Sequence, residues 1–136
     1  MFETPAFGKV LVLDGVVQCT DHDEFSYQEM LAHVPMRSLS YPNPTHALVV
    51  GGGDGGVLRE LGRYPSLTHI HCAELDGLVI ETAKTYFPRM AVGFADIRVT
   101  TYLGDGTEFV RNVRMREREK ERERVRVRRL GLGLGG

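Results

Sequence analysis

His46-Ala47-Leu48-Val49-Val50-Gly51-Gly52-Gly53-Asp54-Gly55-Gly56 decides the fold. A short apolar run passes straight into a loop built almost wholly of glycine. Val57–Tyr64 behind it reads as a helix stopped by Pro65. The spacing Gly51-x-Gly53-x-x-Gly56 carries meaning only between a strand and a helix, and that is where it stands. There the glycines allow a tight turn, close approach of a ligand to the backbone, and close packing of helix on strand. Reading downstream, Thr68–Glu74 is a second strand. Leu78–Phe87 is a second helix with Val79, Ala83 and Tyr86/Phe87 on one stripe and Pro88 as its stop. Ile97, Val99, Thr101 and Leu103 alternate as a third strand ending at Gly104-Asp105-Gly106. Strands alternating with helices predict a parallel sheet with right-handed crossovers.

Upstream, Lys9–Leu13 and Val16–Thr20 flank Asp14-Gly15, the strongest two-residue hairpin signal. A helix follows. Asp21 with Glu24 three residues on resembles a capping box, and Tyr27, Met30, Leu31 and Val34 lie at i, i+3, i+4, i+7. Pro35 is expected to stop this helix, and Tyr41-Pro42-Asn43-Pro44 to form a loop. The fold expected is α/β, in three parts. Residues 1–44 form a β-hairpin plus helix. Residues 45–110 form a partial Rossmann-like sheet of the S-adenosylmethionine-methyltransferase type. Residues 111–136 form a disordered, low-complexity charged tail in which Arg and Glu alternate almost strictly.

Composition narrows the function. A net charge of −1 hides two unlike regions: residues 1–110 carry 7 Lys/Arg against 14 Asp/Glu, and residues 111–136 carry 10 against 4. The acidic body suits cationic ligands and disfavours nucleic acid. The basic stretch has no aromatic residue to stack on bases, so no specific nucleic-acid binding is expected. No apolar run approaches the ~18–20 residues a membrane helix needs. Two cysteines, Cys19 and Cys72, without metal-type spacing, and an N-terminus without a secretory pattern, make a reducing cytoplasmic setting the expectation. Five histidines show no ligand spacing, so no metal is expected.

Three carboxylates carry the chemistry. Asp54 inside the glycine loop opposes a pyrophosphate and attracts an ammonium or sulfonium. Glu74 ends the second strand 20 residues later, where an acid can accept from ribose hydroxyls. Asp105 ends the third strand at the same sheet edge, beyond which ligands of open α/β sheets bind. Together they point to a cationic nucleoside of the S-adenosyl type. Each alone has a plainer reading: Glu74 as a solvent-facing strand end, Asp105 as a turn aspartate. Convergence favours the site.

Val10-Leu11-Val12-Leu13-Asp14-Gly15-Val16, Asp23-Glu24-Phe25-Ser26-Tyr27-Gln28-Glu29-Met30 and Gly51-Gly52-Gly53-Asp54-Gly55-Gly56-Val57-Leu58-Arg59-Glu60 resemble spermidine synthase, over about Phe7 to Phe109. The resemblance implies aminopropyl transfer from decarboxylated S-adenosylmethionine to putrescine, releasing methylthioadenosine, with no prosthetic group and a homodimer in the full-length family. It also implies roles. Tyr27 belongs to the diamine pocket and Gln28 to the donor's surroundings. Asp54 takes the donor's amino group and Glu74 its ribose. Asp105 and Gly106 take the adenosine, Gly51 and Gly53 shape the loop, and Gln18 reaches the substrates through water. The family's base, an aspartate in an Asp-Ser-Ser-Asp-Pro run after the next strand, has no counterpart here. The tail stands in its place, resembling translated GAGA repeats, so the expectation is a truncated gene product or gene model without turnover, its first parallel strand left at a sheet edge. Spermine synthase stays open. So do putrescine N-methyltransferase and a non-catalytic module that binds nucleosides or pairs with an intact subunit.

Overall fold

A computed structural model describes residues 1–39, 43–115 and 119. Two three-stranded sheets organise the chain. The first is antiparallel, β1 (Phe2–Thr4), β2 (Gly8–Leu13) and β3 (Val16–Thr20), in that order. Asp14 and Gly15 both take positive φ, 51° and 79°, the turn whose twist matches that of the strands it joins. A register shift between Leu11 and Val12 leaves Gln18 as an extra residue on β3. β1 escapes sequence reading because three residues show no periodicity.

The helix α1 (Glu24–Ser38) departs from expectation in three ways. Asp23 rather than Asp21 takes the N-cap position, and its side chain bonds no helix N–H. The Thr20 hydroxyl donates to the Asp23 carboxylate, while the Asp21 carboxylate accepts the Lys9 N–H at 3.1 Å and so serves the sheet. Pro35 lies inside the helix, which runs on to Ser38: proline's φ is helix-compatible, and three further residues cost one missing N–H bond. Finally, the stripe Tyr27, Met30, Leu31 and Val34 is exposed, and α1 buries Gln28 and Ala32 instead. Apolar periodicity marks a face without saying what covers it.

The second sheet is parallel, in the order β4 (His46–Val50), β5 (His69–Glu74), β6 (Val99–Leu103), with Val50 opposite Ala73 and Glu74 opposite Leu103. Among the described residues β4 is an edge, as expected. Ile97, assigned by alternation to the third strand, precedes β6 and is exposed. α2 (Gly56–Leu61) and α3 (Gly77–Tyr86) are the crossover helices. α3 ends just ahead of Pro88, as expected, and Pro88 also starts a helix: it is the first residue of α4 (Pro88–Ala91), where its missing N–H costs nothing, and a 3-10 turn Val92–Ala95 follows. α3 buries Ile80 and Ala83, and its expected stripe members Val79 and Tyr86 lie nearer the surface.

Residues 106–115 form a further helix, α5. It reaches five residues into the stretch expected to be a disordered tail. Asp105 nucleates it, its carboxylate accepting the Thr107 N–H at 2.6 Å, and residues 107–115 contain no glycine or proline. Apart from Glu119 the remaining tail, like Tyr41-Pro42 of the expected loop, lies outside the described residues. No helix among the described residues is long and apolar enough to cross a membrane.

Leu58, Leu61, Leu67, Ile70, Cys72 and Ala32 form the main core, and Leu11, Cys19, Phe87 and Met90 tie the antiparallel sheet to α3 and α4. Arg98 closes the far end of the parallel sheet. Its guanidinium donates to the carbonyls of Gly62, Tyr64 and Leu67 at 2.7–3.0 Å while pairing with Asp96. That pairing holds the Asp96 carboxyl down at about 2. A carboxyl depressed in the folded state stabilises the fold above its unfolded pKa, and the contribution fades as pH falls toward the folded value. Asp96→Asn is therefore expected to lower the urea midpoint at pH 7, with the gap to the unsubstituted chain closing between about pH 4 and about pH 2. A gap constant over that range refutes the pairing.

Candidate functional site

Register brings the C-terminal ends of the parallel strands to one edge, where the loops 51–55, 75–76 and 104–105 meet. Glu74 lies at its centre, 8% exposed, and its two oxygens are held separately. Oε2 accepts the Gly53 N–H at 2.9 Å and Oε1 the Asp76 N–H at 3.0 Å. A Cβ on Gly53 would meet Oε2 at 2.7 Å, so this grip requires glycine. A carboxylate offers about four acceptor positions, so each oxygen keeps one free.

Asp54 is the second acid. Its Oδ1 accepts the Gly56 N–H at 2.7 Å and its Oδ2 accepts Gln28 Nε2 at 2.9 Å. Gln28 comes from α1, 26 residues earlier, and is 1% exposed. Its Nε2 also lies 3.9 Å from the Met90 sulfur, while its Oε1 is buried with no hydrogen-bond partner among the described residues. Gly56 admits this side chain: a Cβ there would lie 2.5 Å from Gln28 Cδ. Gly51 turns the chain at φ 73° and donates to the Ala73 carbonyl at 2.8 Å.

The remaining expected residues are more loosely placed. Asp105 is exposed, and the N–H groups of Thr107 and Glu108 hold its carboxyl below the usual range. Gly106 opens α5 against the end of β4, where a Cβ would meet Val50 Cγ1 at 2.5 Å. Tyr27 adjoins Gln28 but is 62% exposed, and its hydroxyl makes no hydrogen bond among the described residues. Gln18 is exposed at the bulge, its amide donating to its own strand at the Val16 carbonyl. Thus hydrogen bonds join Gln28 to Asp54 and Gly53 to Glu74, the Gly53–Asp54 peptide links the two pairs, and Tyr27 and Gln18 stand outside them.

Sequence reading missed the fully buried Glu60, which takes Arg59 Nε at 2.8 Å, Arg63 Nε at 3.0 Å and His33 Nε2 at 3.2 Å. Its one signal was adjacency: a carboxylate among Arg59, Arg63 and apolar Leu58 and Leu61 needs partners if it is buried. The His46 and His69 rings stack at 4.9 Å with their Nδ1 atoms on Thr45 and Thr68, and no three metal-type side chains converge among the described residues.

Known proteins frame this geometry. The model of the spermine/spermidine synthase domain matches residues 24–119, and that of the spermidine synthase tetramerisation domain matches residues 1–21. The chain is 52% identical over 113 residues to spermidine synthase 1 of Hyoscyamus niger, covering 83% of this chain and 35% of the relative. It is 54% identical over 111 residues to spermine synthase of Arabidopsis thaliana, covering 82% and 30%. Its fold matches the crystal structure of spermidine synthase from Thermotoga maritima with a TM-score of 0.77 at 47% identity, covering 82% of this chain and 38% of that one. A spermidine synthase bound to the transition-state analogue AdoDATO matches equally. The chain spans about a third of the length of the curated relatives it matches.

Both thiols are held in the protonated form, chiefly by burial. Burial, then the nearby charge of Glu74, pushes Cys72 up to about 11, and burial with Asp54 and other carboxylates pushes Cys19 up to about 12. Since the thiolate is the reactive form, neither cysteine should react with a thiol-exchange reagent at pH 8 in the folded chain, and both should react in denaturant. Prompt labelling of a folded thiol at pH 8 contradicts this environment.

Proposed function

The chain belongs to the spermine/spermidine synthase family, and from that premise we propose that its loop edge binds the aminopropyl donor, decarboxylated S-adenosylmethionine. One observation carries this reading: the Gln28 side chain is buried, with its amide orienting the Asp54 carboxylate and its Oε1 left without a partner among the described residues. A buried acceptor without a donor costs ~1–3 kcal/mol, so the arrangement suits an incoming N–H group. An ammonium supplies three. Asp54 and Gln28 take the donor's amino group, the free positions of Glu74 take the ribose hydroxyls, and Asp105 with Gly106 borders the adenine end. Gly51 and Gly53 let the nucleoside lie close to the backbone.

The reaction proposed for the whole protein is displacement at carbon. A neutral amine attacks the propyl carbon bonded to sulfur, the C–S bond breaks, and methylthioadenosine leaves as a neutral thioether while the new ammonium sheds a proton. Tyr27 and, through water, Gln18 face the diamine in this reading. At pH 7 a primary amine with pKa ~10.4 is neutral about once in 2,500 molecules, a deficit of ~4.6 kcal/mol. A positioned base recovers ~10²–10⁴-fold. These 136 residues hold no Asp-Ser-Ser-Asp-Pro run to supply it, so the proposal for this chain is donor binding without turnover. Putrescine is the proposed acceptor, in a reducing cytoplasm that suits two buried free thiols. The exposed Phe2, Val16 and Val17 of the antiparallel sheet suit self-association, with a homodimer as the smallest assembly.

Calorimetric titration tests the site. Decarboxylated S-adenosylmethionine should bind more tightly than methylthioadenosine, which lacks the ammonium arm. Asp54→Asn should weaken the former ~10–100-fold, as loss of a charge-assisted hydrogen bond does, with little effect on the latter. Glu74→Gln should weaken both. Unchanged donor affinity in Asp54→Asn sinks the reading.

A further inference from the structure

Helix α1 brings Gln28 to the site, yet its apolar stripe is exposed and it buries only Gln28 and Ala32. Burial alone holds such a helix weakly. Two polar grips hold it instead, and both close on α2 or the turn behind it. Ahead of Gln28, Glu24 receives Arg59 through two parallel bonds, Nη1 to Oε1 at 3.0 Å and Nη2 to Oε2 at 2.9 Å. Beyond it, His33 stands between Tyr64 and Glu60: the tyrosine hydroxyl lies 2.8 Å from Nδ1, and Nε2 lies 3.2 Å from the Glu60 carboxylate. A single tautomer satisfies both, with Nδ1 accepting from the hydroxyl and Nε2–H donating to the acid. Arg59 Nε also binds Glu60, so the two grips share one guanidinium.

We infer that Glu60, with His33, Arg59 and Glu24, is a positioning device that sets the Gln28 carboxamide against Asp54 and thereby tunes recognition of the donor's ammonium. The inference rests on the donor reading above. Its geometric basis is the starting turn of α2. Gly56 begins that helix, donates to Asp54, and presses so closely on Gln28 that no side chain fits between them, while Glu60 lies one turn further along. Locking α1 to Arg59, Glu60 and Tyr64 therefore fixes Gln28 and Asp54 in one frame. Releasing either grip leaves α1 resting on Ala32 and the partly buried Met36, apolar contacts along which it can slide, because its exposed stripe offers no hold among the described residues.

The test compares Glu60→Gln, His33→Phe and Glu24→Gln with the unsubstituted chain. Each variant should weaken decarboxylated S-adenosylmethionine about tenfold, the loss of roughly one hydrogen bond, and change methylthioadenosine by less than about twofold. A merely structural role moves both ligands together, and that result overturns the proposal. A second readout needs no ligand. The Gln28 side-chain amide, identified by its loss in Gln28→Glu, should be a dispersed, exchange-protected ¹⁵N–¹H pair. In the variants it should lose that protection while the Ile70 backbone amide, bonded to the Arg98 carbonyl at 2.9 Å, keeps its own. Retained Gln28 protection in both Glu60→Gln and His33→Phe overturns the proposal. If the unsubstituted chain shows no preference for the donor over methylthioadenosine, the donor reading fails by itself, and the amide measurement alone decides the clamp.

Discussion

Glu74 keeps a carboxylate at a nearly buried position because two backbone N–H groups, from Gly53 and Asp76, donate to its separate oxygens. Much else follows from holding that acid in place. Gly53 must lack a side chain, since a Cβ would strike the carboxylate. β4 must pair with β5 in the register that sets Val50 beside Ala73, or the loop would not lie over Glu74. The turn after β5 must bend back far enough for Asp76 to donate, and Asp76 then caps α3 through the Leu78 N–H. One polar residue thus couples the sheet, the glycine loop and the second crossover helix. Without those N–H groups, burial of the charge would be prohibitive.

What the sequence made legible follows from how local each signal is. Asp14-Gly15 and the run from His46 to Gly56 specify their turns through backbone conformation alone, and both elements stand where they were expected. The strand-end acids were legible for the same reason, since position in a βα unit fixes them. Non-local choices were not. Nothing in the spacing of Tyr27, Met30, Leu31 and Val34 reveals that the opposite face, carrying Gln28 and Ala32, turns inward. Proline was read as a stop at both 35 and 88: α3 does end ahead of Pro88, which then opens α4, but Pro35 is tolerated inside α1, where the lost N–H bond is cheap. Asp21 and Asp23 both suit a helix cap. The choice between them depends on Lys9, across the sheet, which claims Asp21 for the strand.

The polar contacts between α1 and α2 belong to that non-local class. Glu60 is enclosed by two arginines and a histidine, so its own desolvation is offset by three donors, and one of its arginines reaches on to Glu24. Such networks stabilise less than apolar packing of equal volume but tolerate only one arrangement. That trade suits the role inferred for α1, placing one carboxamide. An apolar interface could slip by a fraction of a turn at small cost, and Gln28 would then lose Asp54. Directional bonds at residues 24 and 33, either side of residue 28, make slippage expensive in both directions.

The same economy bears on why a loop with this glycine spacing is proposed to take a cation. The N-terminus of a helix ordinarily attracts phosphate, because its first N–H groups lack partners and its dipole is positive there. In this chain that position is taken from within: Asp54 Oδ1 already accepts the Gly56 N–H at the start of α2. A phosphate would have to displace a covalently tethered carboxylate and then lie against Glu74. With the N-terminus answered by the chain's own acid, the carboxylate stays half-buried in the loop, its second oxygen accepting the Gln28 amide. In the proposed site the glycines keep their geometric role, close approach of a nucleoside to the backbone, while a single side chain inside the loop reverses the preference for charge.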